Sequence, residues 1–222
     1  MEKYGAKVLA LAAAVWMAPA GFGGMIVQPT AISSPQGSLN TPGYELTQIV
    51  NQSGLSAGYT SGVTDFATYL GSATHDSGTD PTINTGFTNT GGGFPQQITF
   101  NLGSVISIAG LGFWATSNAG TVTQFRLFTD IDGDPTNGVG VQLGGTFNAL
   151  PNGGTAGPGQ VFSFGATSTQ FIHLYVDNTQ LGTGAIPGIG EVAFDAAAQV
   201  PEPATTALVL MGLAGIALRR KL

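Results

Sequence analysis

Between residues 96 and 195, apolar and polar side chains alternate in short runs with a period of two. No apolar stripe at helical spacing occurs from residue 40 to residue 200. Alternation of this kind places successive side chains on opposite faces of an extended chain, so each run is expected to be a strand with one buried face. Ile98, Phe100 and Leu102 alternate with Gln97, Thr99 and Asn101. Leu111, Phe113 and Ala115 oppose Gly112, Trp114 and Thr116, and Val122, Gln124, Arg126 and Phe128 oppose Phe125 and Leu127. Ile172, Leu174 and Val176 oppose Phe171, His173 and Tyr175, and Val192 with Phe194 point inward from a last strand. Glycine, Asn-Gly and Asp-Gly turns punctuate these runs, and glycine fills 35 of 222 positions without a three-residue repeat. Many short strands with glycine-rich turns predict an all-β chain folded as a single jelly-roll β-sandwich over 42–199. Residues 21–41 read as a linker or an edge strand, and 76–93 and 148–159 as long surface loops.

Charge narrows the functions open to such a domain. Only 8% of residues are charged, and there is no cysteine, so disulfide scaffolds, thiol catalysis and thiolate metal sites are excluded. Five of the six basic residues lie at the chain ends, leaving Arg126 as the one cation between residues 21 and 200, against ten acids. Nucleic acid is therefore not a partner, because no basic footprint exists to displace counterions from phosphates.

The two ends carry signals. In residues 1–20, Lys3 and Lys7 precede an apolar run, Val8 to Met17, and Ala18-Pro19-Ala20 supplies small residues for cleavage, as in a secretory signal helix. A buried N-terminal helix is the alternative. In residues 200–222, Pro201-Glu202-Pro203 breaks the chain before an uncharged apolar stretch that ends at Arg219-Arg220-Lys221. The stretch reads as a short C-terminal transmembrane helix. This order resembles the PEP-CTERM sorting signal of Gram-negative bacteria, with Pro201, Glu202 and Pro203 matching its motif and Arg219, Arg220 and Lys221 its basic tail. The resemblance implies recognition by an exosortase-type membrane protease, transient inner-membrane insertion, and export to the cell surface or medium of an exopolysaccharide-making cell. A permanent single-pass anchor is the alternative.

The body, over roughly residues 45–195, resembles the galactose-binding-like jelly rolls that include discoidin and coagulation-factor C-type modules. The resemblance is carried by Tyr59 to Phe66, Ile98 to Gly103, Leu111 to Trp114, the Phe171 to Val176 strand and Gly188 to Phe194. It implies a structural Ca²⁺ where an early loop meets the last strand, with Asp65 and Glu191 as ligands. A second candidate metal cluster is Asp130, Asp132 and Asp134, alternate carboxylates around a glycine as in the first half of a calcium loop. Position 12 of that loop is Val141 rather than glutamate, which excludes an EF-hand and leaves a solvated hairpin tip as the other reading.

Trp114, Phe113, Tyr59, Tyr69 and Tyr175 are the aromatic candidates for stacking on a carbohydrate, Tyr59 and Tyr69 first because they stand near the early loops, with core packing the default at strand positions. His75 and His173 lie in no metal or catalytic spacing, and no Gly-x-Ser-x-Gly elbow is present, so no catalytic residue is assigned. The expected function is a non-enzymatic, secreted or surface β-sandwich of the polysaccharide matrix with weak carbohydrate binding. A self-associating structural protein without a ligand is the alternative, and a secreted glycoside hydrolase the third reading.

Overall fold

The computed structural model describes residues 24–38, 42–76, 86–87, 95–116, 120–130, 132, 134, 140–152, 156–183 and 185–197. The strands among them are β1 (Ile26–Val27), β2 (Ala31–Ser33), β3 (Thr74–His75), β4 (Gly86–Phe87), β5 (Gln96–Trp114) and β6 (Val122–Asp130). They continue with β7 (Gln142–Asn148), β8 (Gly157–Pro158), β9 (Gln160–Thr179), β10 (Gly188–Ile189) and β11 (Glu191–Ala196). A 3₁₀ turn, Leu46–Val50, and one helix, α1 (Phe66–Leu70), lie before the long strands. Seven strands form one antiparallel sheet in the order β1-β11-β5-β9-β6-β7, with β2 also on β5. Two short ribbons, β4 with β10 and β3 with β8, tie loops together.

The length of β5 and β9 dictates the architecture. Strands of 19 and 20 residues would each run to roughly 60 Å if straight, at about 3.3 Å per residue. They bend instead. Pairing between them lapses from Asn101 to Ile106, and Gly103 there adopts a φ of 84°, a conformation side chains rarely take. Residues 96–101 of β5 therefore pair with 171–176 of β9 in a front leaf completed by β2, β6 and β7. Beyond the bend, 106–113 pair with 160–169, and the back leaf is completed by β11 and β1. The apolar stripes of the two leaves meet between them. Phe100 packs edge-on to Phe194 at 5.6 Å and Phe113 stacks on Phe125 at 5.4 Å, joining front to back. Ile98, Leu111, Leu127, Ile172, Leu174, Val176 and Val192 fill the space around them and are buried. The topology is mostly β and jelly-roll-like.

A second, smaller core covers the outside of the back leaf. Asp65 starts α1, its side chain accepting from the Thr68 N–H at 2.8 Å. The helix lays Phe66, Tyr69 and Leu70 over Trp114 and Ala193. Gly112 makes room for it, since a Cβ there would sit 2.7 Å from Leu70 Cδ2. Both faces of residues 111–114 are thus buried, one in the sandwich and one under α1. Residues 26–27 and 31–33, in the stretch read as a linker or edge strand, pair with β11 and β5.

One part of the expected fold is corrected. An all-β domain with a signal helix at one end and a membrane-crossing helix at the other is not what is found. Among the described residues the α-helix has five residues, the 3₁₀ turn also has five, and no helix is long and apolar enough to cross a membrane. The transient membrane anchoring inferred for localisation therefore loses its support. The segments named for the two helices, residues 1–20 and 200–222, lie outside the described residues. A smaller correction concerns β6. Register shifts on either side of Gln124 turn Val122 onto the core face with Phe125 and Leu127, rather than onto the face of Arg126.

Candidate functional site

Two polar clusters hold the side chains of chemical interest. The first lies where β11 begins. Glu191 is fully buried; its Oε2 accepts from the Gln52 N–H at 3.1 Å and its Oε1 from the Tyr59 hydroxyl at 3.4 Å. Gln52 is held at a φ of 65° by its own side chain, whose Oε1 accepts from the Tyr59 N–H at 2.8 Å and whose Nε2 donates to Gln28 Oε1 at 3.0 Å. Tyr69 packs edge-on against Tyr59 at 5.3 Å and against Trp114 at 6.1 Å, and donates its hydroxyl to the Ala57 carbonyl. Trp114 donates its indole N–H to the Ala73 carbonyl at 3.1 Å. Burial pushes the Glu191 carboxyl up to about 9, and burial next to Glu191 pushes the Tyr69 hydroxyl up to about 12 and raises Tyr59 as well.

Three of the rings named as sugar-stacking candidates, Tyr59, Tyr69 and Trp114, are therefore packed together at 8%, 7% and 0% exposure, and Phe113 is buried in the sandwich core. The first three brace the early loop against β11. The two carboxylates named as calcium ligands each have protein partners. Asp65 caps α1 and has Asp195 as its charged neighbour, while Glu191 faces an N–H and an O–H. A Ca²⁺ ion takes six to eight oxygen ligands, and among the described residues no group of three or more His, Asp or Glu side chains gathers to hold a metal. The Asp130 cluster is divided. Asp130 is buried on the sheet and accepts from His173 Nε2 at 2.9 Å, whereas Asp132 Oδ1 accepts from the Asp134 N–H at 3.0 Å in an exposed turn.

The second cluster lies on the outward face of the front leaf. Odd-numbered residues of β9 point away from the core, and register sets Tyr175 beside Arg126 of β6 and Gln97 of β5, and His173 beside Phe128 and Thr99. Arg126 is clamped by Asp177, its Nε donating to Oδ2 at 2.8 Å and its Nη2 to Oδ1 at 2.7 Å. These bonds raise the guanidinium above its ordinary value. The guanidinium carbon lies 5.7 Å from the Phe128 ring centre and 6.0 Å from that of Tyr175, and the two rings meet edge-on at 5.3 Å. With Pro95, these three side chains line a shallow depression of about 270 Å³. Under it, His173 is fully buried. Gln97 Nε2 donates to its Nδ1 at 3.0 Å, the Thr99 hydroxyl lies 2.8 Å from the same nitrogen, and Nε2 donates to Asp130.

Two larger depressions, about 360 and 340 Å³, share Ala156 at the loop end of the sandwich, but no aromatic ring or cation lines either. Chemistry rather than size selects the Arg126 shelf as the candidate site. The sequence reading names Tyr175 among its aromatic candidates, but not Arg126, Phe128 or Pro95, which join it only through the pairing of β6 with β9 and the approach to β5. One signal was present: the lone internal cation stands two residues before Phe128 on a strand, hence on the same face.

Residues 199–221 match the PEP-CTERM protein-sorting motif, which is thus present at the C-terminus. No curated protein matches the chain. Among solved structures it is similar to chitosan-binding module 1 of a chitosanase/glucanase from Paenibacillus sp. IK-5, at 12% identity and a TM-score of 0.51, covering 78% of this chain and 99% of that one. It is also similar to the CBM32-1 and CBM32-2 domains of ZmpB from Clostridium perfringens, at 9% identity and a TM-score of 0.52, covering 78% of this chain and 37% of that one. The same domains in complex with GalNAc align at 8% identity with a TM-score of 0.50, over 78% of this chain and 36% of that one. At these identities the likeness is one of fold.

Proposed function

We propose that this chain is a non-enzymatic glycan-binding protein of the cell surface or extracellular polysaccharide matrix, delivered through its PEP-CTERM motif by an exosortase-type protease. The observation that carries the reading is the Arg126 shelf: a guanidinium clamped by Asp177, 5.7 and 6.0 Å from the centres of two half-buried rings, lining a shallow depression. Aromatic faces pack on the apolar faces of sugar rings, and a fixed guanidinium supplies donors for hydroxyl groups. The fold shared with a chitosan-binding module and with CBM32 domains solved with GalNAc supports the same class of ligand. A catalytic role has no comparable support. The shelf's one carboxylate, Asp177, is committed to Arg126, and Asp130 beneath it to His173.

The test is affinity electrophoresis of the full chain through a panel of polysaccharides, followed by calorimetry on those that retard it. Tyr175→Ala and Arg126→Ala should each weaken binding at least tenfold, about 1.4 kcal/mol, while the melting temperature holds. Binding left intact in both variants would remove the shelf from the proposal.

A further inference from the structure

We propose that His75 is held as a doubly protonated imidazolium, and that loss of its second proton unfastens residues 53–56 from the end of the sandwich. The latch is closed in acid and at neutral pH and loosens in alkali.

The groups facing the ring fix its charge. His75 is fully buried, and each of its ring nitrogens lies against a backbone carbonyl. Nδ1 is 2.6 Å from the Asp76 oxygen and Nε2 is 3.0 Å from the Ser53 oxygen. A carbonyl oxygen only accepts. A neutral imidazole has one N–H, so it would satisfy one carbonyl and turn a bare lone pair on the other, whereas the imidazolium donates to both. The shorter contact is close to the length of a charge-assisted bond, about 2.7 Å. His173 shows the opposite case. It is equally buried, but the Gln97 amide donates to its Nδ1 at 3.0 Å and the Asp130 carboxylate accepts from its Nε2 at 2.9 Å, a pair that a neutral ring satisfies.

Burial opposes a charge unless the surroundings answer it. Residues 53–56 and β8 contain no titratable side chain. Asp76, exposed, is the next residue in the chain, and Gly190, where a Cβ would stand 2.9 Å from His75 Nδ1, precedes Glu191. Glu191 keeps its proton to about 9 and so is neutral while the latch is closed. No basic side chain stands among these neighbours.

The ring fastens a short stretch with few bonds of its own. Ser56 N–H donates to the Thr74 carbonyl at 2.8 Å and Asp76 N–H to the Gly54 carbonyl at 2.7 Å, laying 53–56 along β3. His75 in turn pairs with Gly157 of β8. Gly54, Leu55, Ser56, Thr74, Asp76 and Ala156 line the depression of about 340 Å³ here. When the second proton leaves, one buried carbonyl faces a lone pair, and this stretch yields before the long strands do. A proton bound more tightly in the folded state stabilises fully below the ordinary histidine value of about 6.5, and its contribution is lost as pH climbs past that value.

Long-range ¹H–¹⁵N spectra of the full chain, labelled at its two histidines, read the protonation directly. At about pH 7.5, one unit above the value of an exposed histidine, His75 should give two imidazolium N–H signals and His173 a single one at Nε2. As alkali converts His75 to a neutral ring, amide protection factors at Ser56 and Asp76 should fall about tenfold while those of β5 and β9 hold. Glu191→Gln removes the other group that titrates against this loop, through Gln52, and the fall should persist in that variant. His75→Gln, a single donor at every pH, should leave the two amides without the pH dependence. The titration of the unaltered protein decides even where His75→Gln does not fold. A neutral His75 at about pH 7.5 would overturn the assigned charge. An imidazolium whose titration leaves Ser56 and Asp76 equally protected would overturn the latch, as would loosening that Glu191→Gln abolishes.

Discussion

Glu191 and Asp177 are both carboxylates at strand positions beside tyrosines, and the fold treats them oppositely. Asp177 sits on an open face with a guanidinium in bidentate contact. Glu191 is sealed beneath a loop, with an N–H and a tyrosine hydroxyl as its partners. Removal from water without a cation favours the neutral acid, so Glu191 keeps its proton to about 9. One carboxylate therefore orients a cation for contact with the outside, and the other fastens a loop. Residue type alone does not separate a binding surface from a brace. The presence of a charge partner and the exposure of the neighbouring rings do.

The largest effect expected from this contrast is on the brace. Trp114→Ala removes a fully buried indole that contacts Tyr69 and ties down Ala73. It should cost about 3–5 kcal/mol of stability. Denaturant melts would show this, with glycan affinity of the remaining folded protein unchanged. A variant of a half-buried shelf ring such as Tyr175→Ala should show the reverse pattern, and equal effects of the two on stability would erase the distinction drawn here.

Next comes the pH response of Glu191. Its folded value of about 9 lies above its ordinary 4.5, so the native state holds a proton that the unfolded chain has lost. The contribution is complete below about pH 4.5 and drains away as pH rises toward 9, with a slope approaching 1.4 kcal/mol per pH unit between them. Glu191→Gln should flatten that part of the stability profile while its amide oxygen keeps the bond from the Gln52 N–H. An unchanged profile would mean that Glu191 is ionised in the native state.

How much of this could be read from the chain follows the same division. The alternation of Ile98, Phe100 and Leu102, and of Ile172, Leu174 and Val176, placed both core stripes, because a strand's two faces differ in sequence wherever one is solvated. The strand ending at Trp114 was harder, since the sandwich covers one face and α1 the other. Alternation then no longer separates inside from outside, and Trp114 stayed among the candidate sugar platforms although core packing is the default for a ring on a strand. Val122 was misplaced by a bulge, which shifts register without a mark in the sequence. The shelf depends on three strands in register, with Arg126 and Tyr175 nearly fifty positions apart. Periodicity within one strand carries no information about its neighbour's register. Lone glycines, by contrast, were informative after the fact: Gly103 marks the bend and Gly112 the seat of α1.

The smallest expected effect is that of calcium. An N–H and a hydroxyl are aimed at Glu191, and Asp65 is engaged at the start of α1. Melting temperature should be the same in Ca²⁺ and in chelator, and the pH slope attributed to Glu191 should persist in both. The two readouts are linked. A bound Ca²⁺ would hold Glu191 as the carboxylate, so a calcium-induced rise in melting temperature must come with loss of that slope. A rise with the slope intact would place the ion elsewhere and leave the brace as described. A rise that abolishes it would mean the loop closes on a metal, and the tyrosine would then be a bystander to the fastening of Glu191.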